Sequence, residues 1–149
     1  MSAIGRAASG GATSGRQAAA ARRTFRLLIV DDSNIMRRRI ERSQQLDELE
    51  VVGAASNGME ALELFEKTDP DLVTMDLTMP RMDGIECISK LVKRKPDVRI
   101  LVISALADKA TAIDAMEKGA NGFLNKPFTD RQLNDAIAEL IGERAAAAG

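Results

Sequence analysis

The sequence predicts a doubly wound α/β domain with five parallel strands in the order 2-1-3-4-5, each followed by a helix. Three observations carry that expectation. Short continuous apolar runs recur along the chain, segments with helical apolar spacing lie between them, and capping residues stand where helices should begin. Alternating strands and helices call for a parallel sheet with right-handed crossovers and helices on both faces, a (βα)5 arrangement.

Taken in order, Leu27-Leu28-Ile29-Val30 is the first strand, because an unbroken apolar run fits a strand buried on both faces. Leu49 to Ala54 is the second. Asn57 before Glu60 offers an N-cap, and Met59, Leu62 and Phe65 then fall on one helical face as a core stripe. Leu72-Val73-Thr74-Met75 is the third strand. Asp83 before Glu86 caps the next helix, whose stripe is Ile85, Ile88, Leu91 and Val92. Ile100-Leu101-Val102-Ile103 is the fourth strand, and Gly119 ends the helix containing Ile113 and Met116. Phe123 to Asn125 is the fifth. Thr129 and Gln132 form a capping box ahead of the stripe Leu133, Ala136, Ile137, Leu140 and Ile141.

A chain of 149 residues suits one domain, and 45% hydrophobic with 29% charged residues is enough to build a core. No apolar run approaches the roughly 18 residues of a membrane helix, so a soluble protein without membrane contact is expected. With 21 Lys plus Arg against 22 Asp plus Glu, the whole chain lacks the charge for gripping nucleic acid. Zero His and one Cys exclude His-based acid/base pairs, Ser/His/Asp and Cys/His triads and Cys/His zinc sites. Cys87 alone makes no internal disulfide, which points to a reducing cytoplasm.

The neutral total hides a division. Arg6, Arg16, Arg22, Arg23 and Arg26 lie in the first 26 residues with no acid among them, so the remainder is acidic. Residues 1-24, rich in Ala, Gly, Ser and Arg, read as a disordered basic leader; a secretory signal lacks its apolar stretch here, while a transit peptide shares the composition. Residues 25-143 form the expected domain and 144-149 a disordered Ala-rich tail.

Ligands of open α/β sheets bind beyond the carboxyl ends of the strands. There the first strand delivers Asp31-Asp32, the third Asp76, the fourth Ser104 and the fifth Lys126-Pro127. Any one of these is most simply a cap, a turn or a solvated charge; four strands delivering polar groups to one end is another matter. Three converging carboxylates raise one another's pKa unless a cation lies among them, and Mg²⁺ accepts such oxygens together with phosphate. Asp32 and Asp76 are candidate direct ligands, with Asp31 acting through water. Lys126 and Ser104 would meet phosphoryl oxygens. These parts suit phosphoryl transfer, with Asp76 on the middle strand as the nucleophile that becomes an aspartyl phosphate.

Leu28 to Ser33, Val73 to Gly84 and Gly119 to Phe128 resemble the receiver domain of two-component response regulators, and the similarity runs from about Arg26 to Glu143. Asp31-Asp32-Ser33 followed by Met36-Arg37-Arg38 is particularly similar to chemotaxis regulators of the CheY type. The resemblance implies that Asp76 is the phosphoacceptor, that Asp31 and Asp32 are the acidic Mg²⁺ pair, and that the Thr78 backbone carbonyl completes the metal site. It implies that Ser104 is the switch hydroxyl, Phe123 the switch aromatic and Lys126 the family's lysine, with Lys126-Pro127 in the cis form. Ser104 departs from the commoner Thr, and Phe123 from the frequent Tyr.

The implied role is a stand-alone, monomeric cytoplasmic switch with no output domain and no enzymatic reaction besides its own phosphorylation and dephosphorylation. A histidine kinase would phosphorylate it, and a phosphorylation-dependent target, such as a flagellar switch or a phosphatase, would read it. Chemotaxis leads among pathways; a phosphate sink or relay intermediate is the alternative. Thr78 and Leu106, each two residues past a site residue, are placed to control the water that ends the phosphorylated state. A flavodoxin-like electron carrier shares the strand order but is disfavoured by zero Trp and zero Tyr. An Asp-nucleophile phosphatase would want an acid where Thr78 stands, and no Walker-type phosphate loop is present.

Overall fold

The strands lie in the order β2-β1-β3-β4-β5 in one sheet, and every neighbouring pair is parallel. This computed structural model describes residues 24–148 apart from 45, 47, 80, 81 and 106–108, with side chains described as far as Gly142. Its elements alternate as β1 (Phe25–Val30), α1 (Asn34–Arg42), β2 (Leu49–Ala55), α2 (Gly58–Thr68), β3 (Leu72–Met75), α3 (Gly84–Arg94), β4 (Arg99–Ser104), α4 (Lys109–Glu117), β5 (Gly122–Asn125) and α5 (Asp130–Ala148). The doubly wound architecture and the 2-1-3-4-5 order are those the sequence predicts.

Period-2 alternation divides the core. Leu28, Val30, Val73, Met75, Ile100 and Val102 face one side, where Leu62 and Phe65 of α2 and Ile88 and Leu91 of α3 cover them. Leu27, Ile29, Leu72, Leu101 and Ile103 face the other, under Ile40 of α1 and Leu133, Ile137, Leu140 and Ile141 of α5. Each fully buried Leu or Ile contributes roughly 1.5–3 kcal/mol, so the two layers account for the sheet's central place. Among the described residues no helix is long and apolar enough to cross a membrane.

The expected caps form. Asn57 Oδ1 accepts from Glu60 N at 2.9 Å, Asp83 Oδ1 from Glu86 N at 2.9 Å, and Thr129 and Gln132 exchange bonds of 2.8 and 3.0 Å. Gly119 follows α4 at φ 121°, a conformation that favours glycine.

Two expectations are corrected. Met59 is exposed at 45%, because the buried stripe of α2 starts at Gly58 and continues through Ala61, Leu62 and Phe65. Helix α5 runs to Ala148, past the boundary placed at 143, since alanine has the highest helix propensity and nothing in the run breaks the helix. The leader through Arg23 lies outside the described residues.

Candidate functional site

Parallel hydrogen bonding continues one residue beyond the strands, and this brings the site side chains to one level. Asp31 N donates to Ala55 O at 3.0 Å, Asp76 N to Val30 O at 2.9 Å, and Lys126 N to Ser104 O at 3.0 Å. The carboxyl ends of β1, β3, β4 and β5 therefore present their polar residues at a common edge. Asp31, Asp76 and Ser104 are buried there, at 1%, 5% and 0% exposure, while Asp32 opens to solvent.

One oxygen from each of Asp31, Asp32 and Asp76 lies within 4.8 Å of the others. Lys126 Nζ is 2.8 Å from Asp31 Oδ2 and 3.7 Å from Asp76 Oδ2. The other Asp31 oxygen accepts from Ser33 N at 2.9 Å, whereas Asp76 Oδ1 accepts a longer bond of 3.3 Å from Thr78 N. Burial pushes the Asp76 carboxyl up from 3.8 to about 6, and the Asp31 charge adds to the rise against the opposing pull of Lys126. Two of the three acids, Asp31 and Asp76, thus share the Lys126 ammonium. An all-carboxylate donor set with one solvent-facing member fits a hard, partly hydrated divalent cation such as Mg²⁺.

The loop after β3 depends on a glycine. Gly84 N donates to Leu77 O at 3.0 Å, and a Cβ built at Gly84 would stand 2.3 Å from the Asp76 carbonyl oxygen and 2.7 Å from Leu77 Cα. Only a residue without a side chain lets the start of α3 back onto this turn.

Asp31, Asp32, Asp76 and Lys126 are brought together as the sequence predicts, and Lys126-Pro127 is cis. Ser104 ends β4 in register with Asn125, one residue before Lys126. Phe123 is half-buried, pairs in register with Val102 and packs against the core layer under α2 and α3. Thr78 meets Asp76 through its backbone N–H. Leu106 lies outside the described residues. Sequence reasoning assigned no role to Gly84, or to Arg37, whose Nη1 donates to the Asp31 carbonyl at 2.7 Å. The glycine directly after the Asp83 cap was the available signal for the first; nothing local marks the second.

Strand order and strand-end chemistry together define the class of receiver domains. The chain belongs to the response regulator receiver domain family, whose model matches residues 27–138. It is 38% identical over 113 residues to the chemotaxis protein CheY of Listeria monocytogenes, spanning 76% of this chain and 95% of that one. It is 41% identical over 116 residues to CheY of Bacillus subtilis, spanning 78% and 97%. Among solved structures, a chain of the CheX-CheY-BeF3-Mg²⁺ complex from Borrelia burgdorferi matches with a TM-score of 0.75 at 30% identity, covering 78% of this chain and 89% of that one. The same domain type occurs in enzymes: this chain matches 32% of the length of a protein-glutamate methylesterase from Pseudoalteromonas atlantica, at 45% identity.

Proposed function

We propose that this protein is a Mg²⁺-dependent phosphorylation switch in chemotaxis signalling, with Asp76 as the phosphoacceptor of a partner histidine kinase. One observation carries the reading. Asp76 is a buried carboxyl on the middle strand, at an edge that also holds two acids and a lysine, so it can receive a phosphoryl group beside an ammonium and a candidate cation site. Similarity to CheY proteins over most of the chain supports the choice of chemotaxis.

In the proposed step an Asp76 carboxylate oxygen attacks phosphorus, the P–N bond of the donor phosphohistidine breaks, and its electron pair leaves on the imidazole nitrogen. Mg²⁺, held by Asp31, Asp32 and Asp76 with the Thr78 carbonyl, would neutralise the oxygens of the transferred group. Lys126 offsets part of the repulsion between Asp31 and Asp76 at rest and turns its ammonium to the phosphoryl group afterwards. Ser104 supplies a hydroxyl bond to that group, and Phe123 turns into the space so released. The face built from α4, β5 and α5 then binds its target better, a shift between two populations.

The test is to incubate wild type and Asp76→Asn with a small-molecule phosphodonor and Mg²⁺. Wild type should gain an acid-stable, base-labile label that Asp76→Asn lacks; equal labelling of both would remove Asp76 from the role. Pull-downs with labelled and unlabelled protein then test the partner, which should be a motility component captured only by the labelled form.

A further inference from the structure

We propose that helix α1 is a strut that fixes the Asp31–Lys126 pair from behind, with Arg39 as the positioning residue that holds the turn carrying Lys126. Three contacts converge on Arg39. Its Nη2 donates to the carbonyl of Phe128, its guanidinium lies 4.3 Å from the centroid of the Phe128 ring, and Nη2 stands 3.6 Å from Asp130 Oδ1. Phe128 is only two residues after Lys126 and is itself 5% exposed in the core layer under α1 and α5.

The other end of the pair is tied to the same helix. Arg37 Nη1 donates to the Asp31 carbonyl at 2.7 Å, and Arg37 Nη2 to Asn34 Oδ1 at 3.3 Å. One helix therefore grips two backbone segments that lie 95 residues apart in sequence and are joined by the ion pair. The helix is a firm base: Ile40 is buried at 1%, and Asn134 Nδ2 of α5 donates to Ser43 O just past its end at 2.7 Å. On the strand side the Lys126 backbone is held by its bond to Ser104 O; on the helix side Arg39 supplies the hold.

The contacts differ in weight. Arg39 and Asp130 are 36% and 55% exposed, so their ion pair contributes little. The carbonyl bond and the stack on Phe128 carry the position, and both use the planar fork of arginine. Lysine at 39 would keep the charge and lose that geometry. The consequence for phosphoryl transfer rests on the assignment of Asp76 made above; the positioning itself does not.

The experiment follows the Lys126 ammonium by ¹H–¹⁵N NMR in the full metal-free chain at mildly acidic pH, its signal identified by loss in Lys126→Arg. In wild type the ion pair should slow its exchange with water. Arg39→Met should speed that exchange about three- to tenfold, the population change that loss of one hydrogen bond implies. Arg39→Lys should fail to restore it, and Arg94→Met, which breaks an exposed pair with Glu66 elsewhere, should leave it unchanged. If Arg39→Met does not fold, Arg39→Gln replaces it. Wild-type exchange in the folded variant, or full rescue by lysine, would overturn the proposal. In phosphodonor assays the maximal labelling rate of Arg39→Met should fall at an unchanged half-saturating donor concentration. A wild-type rate there would overturn the catalytic consequence, whereas labelling of Asp76→Asn would count against the phosphoacceptor assignment and leave the NMR result standing.

Discussion

Lys126 Nζ donates to Asp31 Oδ2 at 2.8 Å, a bond that joins the end of β5 to the end of β1 across the sheet edge. At 3.7 Å from Asp76, the resting lysine belongs to Asp31 first. Because Asp31 is 1% exposed, removing its partner leaves a buried charge uncompensated. Lys126→Met is therefore expected to destabilise the metal-free chain by about 3 kcal/mol in urea unfolding. Millimolar Mg²⁺ should return part of that loss, and a variant as stable as wild type without Mg²⁺ would mean the pair contributes little.

Asp76 makes stability depend on pH in a predictable direction. Its carboxyl is pushed from 3.8 to about 6, so between those values the folded chain holds a proton that the unfolded chain has released. Stability contributed by this group falls as pH rises through that window and levels off above it, a total of roughly 3 kcal/mol. Asp76→Asn should accordingly raise the melting temperature of the metal-free protein at pH 7.5, and the gain should fade as pH drops toward 4. A gain that is constant over the range would show that the burial of this carboxyl does not set its titration.

Divalent cations should act on the same acids. Mg²⁺ binding only the folded state stabilises it by about 2.7 kcal/mol at a hundred times its Kd. The melting temperature of wild type should rise with Mg²⁺, and Asp32→Asn should blunt that rise, since Asp32 is the solvent-facing member of the cluster. An undiminished response in Asp32→Asn would take that residue out of the cation site.

Gly84 tests the scaffold under Asp76. A methyl at this position would lie 2.3 Å from the Asp76 carbonyl oxygen, a distance that forces the backbone to move. Gly84→Ala should cost about 3 kcal/mol and lower phosphodonor labelling more than Mg²⁺ binding. If the variant matches wild type in both measurements, the turn has room that this geometry excludes.

Thr74 is the opposite case. Among the described residues its hydroxyl is buried in β3 without a hydrogen-bond partner, at a residue 2% exposed. Replacing the hydroxyl by a methyl removes that unsatisfied group, so Thr74→Val should stabilise by about 1 kcal/mol in urea unfolding and leave labelling unchanged. Destabilisation would reveal that the hydroxyl is satisfied in solution.

The strands were legible because a sheet covered on both faces writes continuous apolar runs, as in Leu27 to Val30 and Ile100 to Ile103. Asp31 and Asp76 were legible because each directly follows such a run, with Asp32 next to the first, and Lys126 because it follows the fifth strand. Met59 misled because helical spacing shows which residues share a face, and the face buried by α2 is set one position earlier by Gly58. The stack of Arg39 on Phe128 joins residues 89 apart and leaves no periodic trace. Gly84 required knowing that α3 begins against the loop of β3.

The most direct measurement locates the phosphoryl group itself. Wild-type protein labelled by a small-molecule phosphodonor with Mg²⁺ is reduced with borohydride, which traps an acyl phosphate as a changed residue, and its peptides are mapped by mass spectrometry. The change should fall on Asp76 and on no other residue. A change on Asp31 or Asp32, or its absence from the peptide containing Asp76, would contradict the assignment.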